Sequence, residues 1–144
     1  MPPMKNLRKS LLMGGVFFLS QFSFLSDAQA ADPVGWLETV SCETRNGSGW
    51  VCDPDNYNAS LQVLIYDGLR ENGGSNIALP VANISRSDVS SVCGGNPNHG
   101  FTFKAPWWLI DGKNHSLYAY ARDPVTNTLV QLNGNPFSLN CRCV

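Results

Sequence analysis

The side chains of this 144-residue chain that could carry covalent, metal or proton chemistry are five cysteines, two histidines and eleven carboxylates. Cys42, Cys52, Cys93, Cys141 and Cys143 all follow an N-terminal stretch with the pattern of a secretory leader. Thiols that mature in an oxidising compartment become crosslinks. Zinc fits poorly, because there is no C-x-x-C pair and Cys141-x-Cys143 has no second pair to match it. Five cysteines leave one over. First and last strands of a β-sandwich often approach each other, which favours Cys42 with Cys141 and leaves Cys52 with Cys93. A local Cys42–Cys52 hairpin staple is the rival pairing. Cys143, next to the last residue, is the expected free thiol and a candidate link to a second copy as a covalent dimer.

The leader sets the compartment. Lys5, Arg8 and Lys9 precede an uncharged, mostly apolar run of fifteen residues, Leu11 to Leu25, and Ala28-Gln29-Ala30 supplies the small residues of a cleavage site. A membrane-spanning helix needs about 20 apolar residues, more than this run offers. Residues 1–30 are therefore expected to be a cleaved signal peptide and residues 31–144 one secreted or periplasmic domain, with no membrane insertion after cleavage. Lys5, Arg8, Lys9 and Asp27 fall in the leader, so residues 31–144 carry seven Lys/Arg against ten Asp/Glu, a net of −3. That balance, without a basic run, argues against nucleic acid and anionic membrane surfaces as partners. All three methionines also lie in the leader, so no thioether copper site is available, and no cofactor motif is present.

His99 and His115 are the only proton-transfer candidates near neutral pH, and neither stands in a G-x-S-x-G, Cys-His or H-E-x-x-H context. A small hydrolase built on either is the least supported reading. Asp53-Pro54-Asp55-Asn56-Tyr57-Asn58 is rich in hard oxygen donors, and Asp53 and Asp55 are weak calcium candidates. Pro54 and Asn58 break the EF-hand pattern, and a proline-driven turn explains the segment more simply. The aromatic residues give the better lead. Trp107-Trp108 follows Pro106 in a connection, and Tyr118 and Tyr120 share one face of a strand. Exposed indole and phenol rings stack on sugars or anchor a protein partner. Burial of one tryptophan in the core is the competing reading.

The elements that must position these residues are short β runs separated by Gly, Pro, Asn and Asp. Strands are predicted over 35–42, 49–52, 61–66, 77–82, 100–104, 116–122, 128–132 and 137–141. Ser85 with Asp88 fits a capping box, with Gly94-Gly95 as the stop, and predicts one short helix that carries Cys93. Leu117, Ala119 and Ala121 fall on one strand face, and the small alanines leave room for a bulky neighbour, for which Trp50 is the candidate.

Two sets of residues carry a resemblance. Asp111-Gly112 followed by His115-Ser116-Leu117-Tyr118-Ala119-Tyr120-Ala121-Arg122-Asp123 resembles the penultimate strand of bacterial immunoglobulin-like and fibronectin type III-like modules. Gly49-Trp50-Val51-Cys52-Asp53-Pro54-Asp55, Ile65-Tyr66-Asp67-Gly68, His99-Gly100-Phe101-Thr102-Phe103 and Asn135-Pro136 extend the likeness over most of residues 31–144. The resemblance implies an exported β-sandwich accessory module of a kind found beside enzymes that act on polymers. The expectation is then an all-β protein: a single immunoglobulin-like antiparallel β-sandwich, disulfide-stapled, with one short helix. It is expected to be non-catalytic and to bind a polysaccharide, or alternatively an extracellular protein.

Overall fold

The computed structural model describes residues 29–142; the expected leader and the expected free thiol Cys143 lie outside them. Nine strands form: β1 (Val34–Val40), β2 (Asn46–Cys52), β3 (Val63–Asp67), β4 (Ser75–Ala78), β5 (Ile84–Ser85), β6 (Asn98–Lys104), β7 (Asn114–Arg122), β8 (Leu129–Gln131) and β9 (Phe137–Asn140). They make two antiparallel sheets that pack as a sandwich. One runs β1-β2-β6-β5; the other runs β4-β3-β7, with β8 and β9 sharing the far edge of β7. The all-β expectation holds, and eight of the nine strands overlap predicted runs, although β4 ends at Ala78 and shares only two residues with the run expected over 77–82. The two-residue β5 has too little pattern of its own to be read from sequence.

Period-2 alternation builds the core. Leu117, Ala119 and Ala121 of β7, Val63 and Ile65 of β3, Leu37 of β1 and Phe101 of β6 turn inward and are buried. The bulky partners of the small residues are not as expected. Trp50 is half-buried and packs on the outer side of its sheet, against Cys52, Val89 and Cys93. The reason is parity: Val51 is the inward residue of β2 at that level and is fully buried. Inward space next to β6 comes from glycine. Gly47 pairs with Phe103 and Gly49 with Phe101; a Cβ on Gly47 would lie 2.2 Å from the Phe103 ring, and one on Gly49 2.5 Å from the Phe101 ring. Two phenyl rings thus lie over two cross-strand glycines, as in aromatic rescue of a glycine in a sheet. For this reason Asn46-Gly47, which reads as a turn, begins a strand.

The break between β8 and β9 is bridged by one side chain. Asn135 Oδ1 accepts from the Ala119 amide at 3.0 Å, and its Nδ2 donates to the Ala119 carbonyl at 3.1 Å and to that of Leu132. An amide side chain thereby replaces a missing stretch of strand backbone on the far edge of β7. Alongside it, the turn between β8 and β9 crosses to the other sheet. Leu37 donates to Asn133 and Asn133 to Gly35, each at 3.0 Å, in a parallel bridge to β1.

The predicted helix is reduced. Ser85 lies in β5, and Ser87–Val89 forms a single 3₁₀ turn whose N-cap is Arg86, with no side-chain cap. Asp88 is bound to the Arg86 guanidinium instead of capping the turn. The segment still delivers Cys93. Disulfides join Cys42 to Cys141, with Cα atoms 5.2 Å apart, and Cys52 to Cys93, 5.8 Å apart. These are the two expected pairs, and the Cys42–Cys52 alternative is excluded. Such crosslinks are the chemistry of an oxidising compartment. No helix among the described residues is long and apolar enough to cross a membrane.

Candidate ligand-binding face

Each titratable candidate is engaged in holding a loop. His99 is fully buried, and its Nε2–H donates to the Tyr57 carbonyl at 2.8 Å. Asn96 Nδ2 donates to the same oxygen at 2.7 Å, which ties the connection after β2 to the start of β6. His115 lies between two carboxylates, with Nδ1 2.8 Å from Asp67 and Nε2 3.0 Å from Asp111. Burial pushes this imidazole down, but the bonds to Asp111 and Asp67 outweigh it, and the pKa is raised. When protonated, His115 donates from both ring nitrogens and clasps the end of β3 to the turn before β7.

The calcium candidates do not converge. Asp53 is buried and its Oδ1 accepts from the Asp55 amide at 2.9 Å, closing an Asx turn. Asp55 is exposed and accepts from the Ala31 amide at 2.7 Å. The proline-turn reading fits this geometry. Among the described residues no group of three His, Cys, Asp or Glu side chains is placed to hold a metal ion.

The four aromatic candidates separate. Tyr120 is 2% exposed and is corrected from a surface ring to a structural one. Its ring meets Tyr66 edge-on at 5.7 Å, and its hydroxyl accepts from the Arg70 amide and donates to Glu71 beneath the 70–72 turn. Burial, the largest influence, pushes that hydroxyl's pKa up. Tyr118 is half-buried on the same outer face. Trp107 and Trp108 are both exposed, at 76% and 41%, on a 3₁₀ turn whose third residue, Leu109, enters the core. The expected burial of one tryptophan is taken by that leucine.

The surface that brings aromatic rings together is one the sequence reading missed. Register places Trp36, Trp50, Gly100 and Ile84 in one row across β1, β2, β6 and β5, all on the outer face of the first sheet. Trp36 is 46% and Ile84 42% exposed, and Trp50 is half-buried beside the Cys52–Cys93 bridge. The pyrrole edge of Trp36 rests on Gly134, where a Cβ would come within 2.8 Å of the ring. Gly134 also has φ +79, so glycine is required there by conformation as well as by space. The indole is therefore held in one orientation.

Polar groups cross this row. The Arg86 side chain lies over Gly100, within 2.9 Å of where a Cβ would be, and its guanidinium reaches Glu38 on β1 as a bidentate pair. Asp88 takes the remaining edge. Bonds to Asp88 and then to Glu38 raise the Arg86 pKa, and the bond to Arg86 lowers that of Asp88. Four of the five guanidinium N–H groups are engaged, and both carboxylates keep free lone pairs. The result is a flat apolar strip with fixed hydrogen-bond acceptors in its midst. Parity along Val34-Gly35-Trp36-Leu37 could have flagged Trp36 as outward, but only register joins it to Trp50 and Ile84. Comparison with family models, curated proteins and solved structures returns no match.

Proposed function

We propose that this chain is an exported, non-catalytic binding module that takes a polysaccharide on the outer face of its first sheet. The observation that carries this is the Trp36–Trp50 pair flanking the Arg86–Glu38–Asp88 network. A sugar ring has an apolar face of axial C–H bonds and a rim of hydroxyls. Indoles meet the first, and carboxylates with spare lone pairs accept from the second. The local side-chain charge of this network is −1, from one arginine and two acids, which favours a neutral glycan over an anionic one. The guanidinium points the same way, since four of its five N–H groups are already engaged and one is left to offer a uronate. Export is supported by the leader pattern and by two disulfides.

The test is retention on neutral and uronate-containing polysaccharides in affinity electrophoresis. The parent protein is expected to be retarded by a neutral polymer. Trp36→Ala is expected to weaken this about tenfold, roughly 1.4 kcal/mol, with its melting temperature unchanged. Equal retention of the Trp36→Ala variant, or retardation by uronate polymers alone, would overturn the assignment.

A further inference from the structure

The end of the sandwich opposite the Cys52–Cys93 bridge is built differently from the sheet face. Trp107 and Trp108 stand out from it on a turn whose Leu109 enters the core and whose Ile110 packs against it, and Trp107 is the most exposed large apolar residue of those described. The turn packs against the hairpin after β1: the Ala105 amide donates to the Arg45 carbonyl, and the Arg45 side chain donates to the Ala105 carbonyl. On the other side, the Gly112 amide donates to the Cys141 carbonyl. The Arg45 side chain is thereby set against the turn, and Lys104 at the end of β6, Lys113 just before β7 and Arg142 just after β9 lie at the same end of the sandwich.

Side-chain charge is correspondingly polarised. The tryptophan end holds those four cations against Glu43, Asp67 and Asp111; both aspartates are turned onto His115, and Asp111 also pairs loosely with the exposed Lys113 at 3.8 Å. The rest of the domain holds three cations, Arg70, Arg86 and Arg122, against the remaining seven carboxylates. One end is therefore at +1 and the remainder at −4, and protonation of His115 makes the first more positive still. The net of −3 that argued against anionic surfaces averages two unlike regions.

We propose that this end docks on an anionic lipid bilayer, with Trp107 and Trp108 in the headgroup zone and Arg45, Lys104, Lys113 and Arg142 facing lipid phosphates. Paired indoles with a polar N–H suit the membrane–water interface, and clustered Lys/Arg next to them are drawn to a negative leaflet. Both indoles are exposed on one turn at the end that carries these cations, whereas those on the sheet face flank two carboxylates, so a bilayer fits better than a sugar. Contact is shallow: the only apolar anchor is one turn of chain. The glycan face lies on the flank of the sandwich and stays open when this end is down.

Co-sedimentation with vesicles tests it, using protein recovered after export. Vesicles of phosphatidylglycerol with phosphatidylcholine are compared with pure phosphatidylcholine at low and high salt. The parent is expected to bind the anionic vesicles at least tenfold more tightly, and to release in high salt. Trp107→Ser with Trp108→Ser is expected to lose at least tenfold, and Lys104→Glu with Lys113→Glu to lose the preference for anionic lipid. Melting temperatures close to that of the parent show that the variants are folded. Trp36→Ala is expected to bind vesicles normally, which separates this site from the glycan face. The proposal fails if the parent does not sediment with anionic vesicles at low salt, or if the double tryptophan variant binds as well as the parent. It also fails if a soluble anionic oligosaccharide displaces the protein from the vesicles.

Discussion

Replacing Asn135 with alanine removes the side chain that closes the edge of β7 where β8 stops and β9 begins. The Ala119 amide loses its partner at 3.0 Å, and the carbonyls of Ala119 and Leu132 lose one donor each. Ala119 is fully buried, so water does not replace the lost bond to its amide. Its carbonyl keeps the bond from the Leu132 amide at 2.9 Å. One orphaned buried amide costs about 1–3 kcal/mol, and the weakened carbonyls add to it, so a loss of about 2–3 kcal/mol is expected. For a domain of this size that corresponds to a melting temperature lower by about 10 °C. Asn135→Asp separates the two halves of the interaction, because a carboxylate still accepts from the Ala119 amide but meets two carbonyl oxygens without a proton to offer. That variant is expected to be at least as damaging at neutral pH. It should recover relative to the parent on acidification, when the carboxyl becomes a donor. Urea unfolding read by tryptophan fluorescence gives both numbers, and hydrogen exchange at the Ala119 amide locates the effect. An alanine variant within about 0.5 kcal/mol of the parent, the range of an ordinary surface change, would refute the reasoning.

Other expectations follow from the same geometry. His115 has a raised pKa, so the stability it contributes is complete below its ordinary value of 6.5 and is lost as pH rises through the folded value; His115→Gln should flatten that part of the stability–pH curve. Asp123 behaves oppositely. Burial pushes its pKa up, but amides of Thr126 and Val125 prevail and the pKa is lowered, so its contribution is lost as pH falls below 3.8, and Asp123→Asn should blunt acid unfolding. Gly49→Ala would place a Cβ 2.1 Å from the Trp36 carbonyl and 2.5 Å from the Phe101 ring; a loss at or above the upper end of about 1–3 kcal/mol is expected in thermal unfolding. Cutting the Cys52–Cys93 bridge, which spans 41 residues, by Cys→Ala at both positions should remove about 4 kcal/mol in the chain-entropy account. A denaturant midpoint unchanged by the double substitution would reject this.

The strands were legible wherever alternation was strong: Leu117-Tyr118-Ala119-Tyr120-Ala121 announces a strand and its inner face. Both disulfides followed from the architecture that those strands imply. What stayed hidden depends on register. Gly47 reads as a breaker, and Gly49 as no more than the start of a strand, until Phe103 and Phe101 are set across from them. Trp36, Trp50 and Ile84 are remote in sequence and share a row only because three strand pairings align. Tyr120 has the parity of a surface residue, yet the 70–72 turn folds over it, and no local pattern records that cover. The Ser85–Asp88 capping signal was real as chemistry, but Arg86 claimed the aspartate.

The Cys42–Cys141 bridge has a mechanical meaning. It closes a span of 99 residues between the end of the first strand and the end of the last. Once β1 has peeled from β2, tension applied at the two ends of the domain passes through the sulfur atoms and bypasses the remaining strands. Only the residues outside the bridge can be drawn out, about 50 Å of chain, against roughly 390 Å if the whole domain unravelled. In single-molecule pulling, the oxidised protein is expected to lengthen by the smaller amount and the reduced protein by the larger. A domain wired in this way yields its first strand to a load and then holds its length.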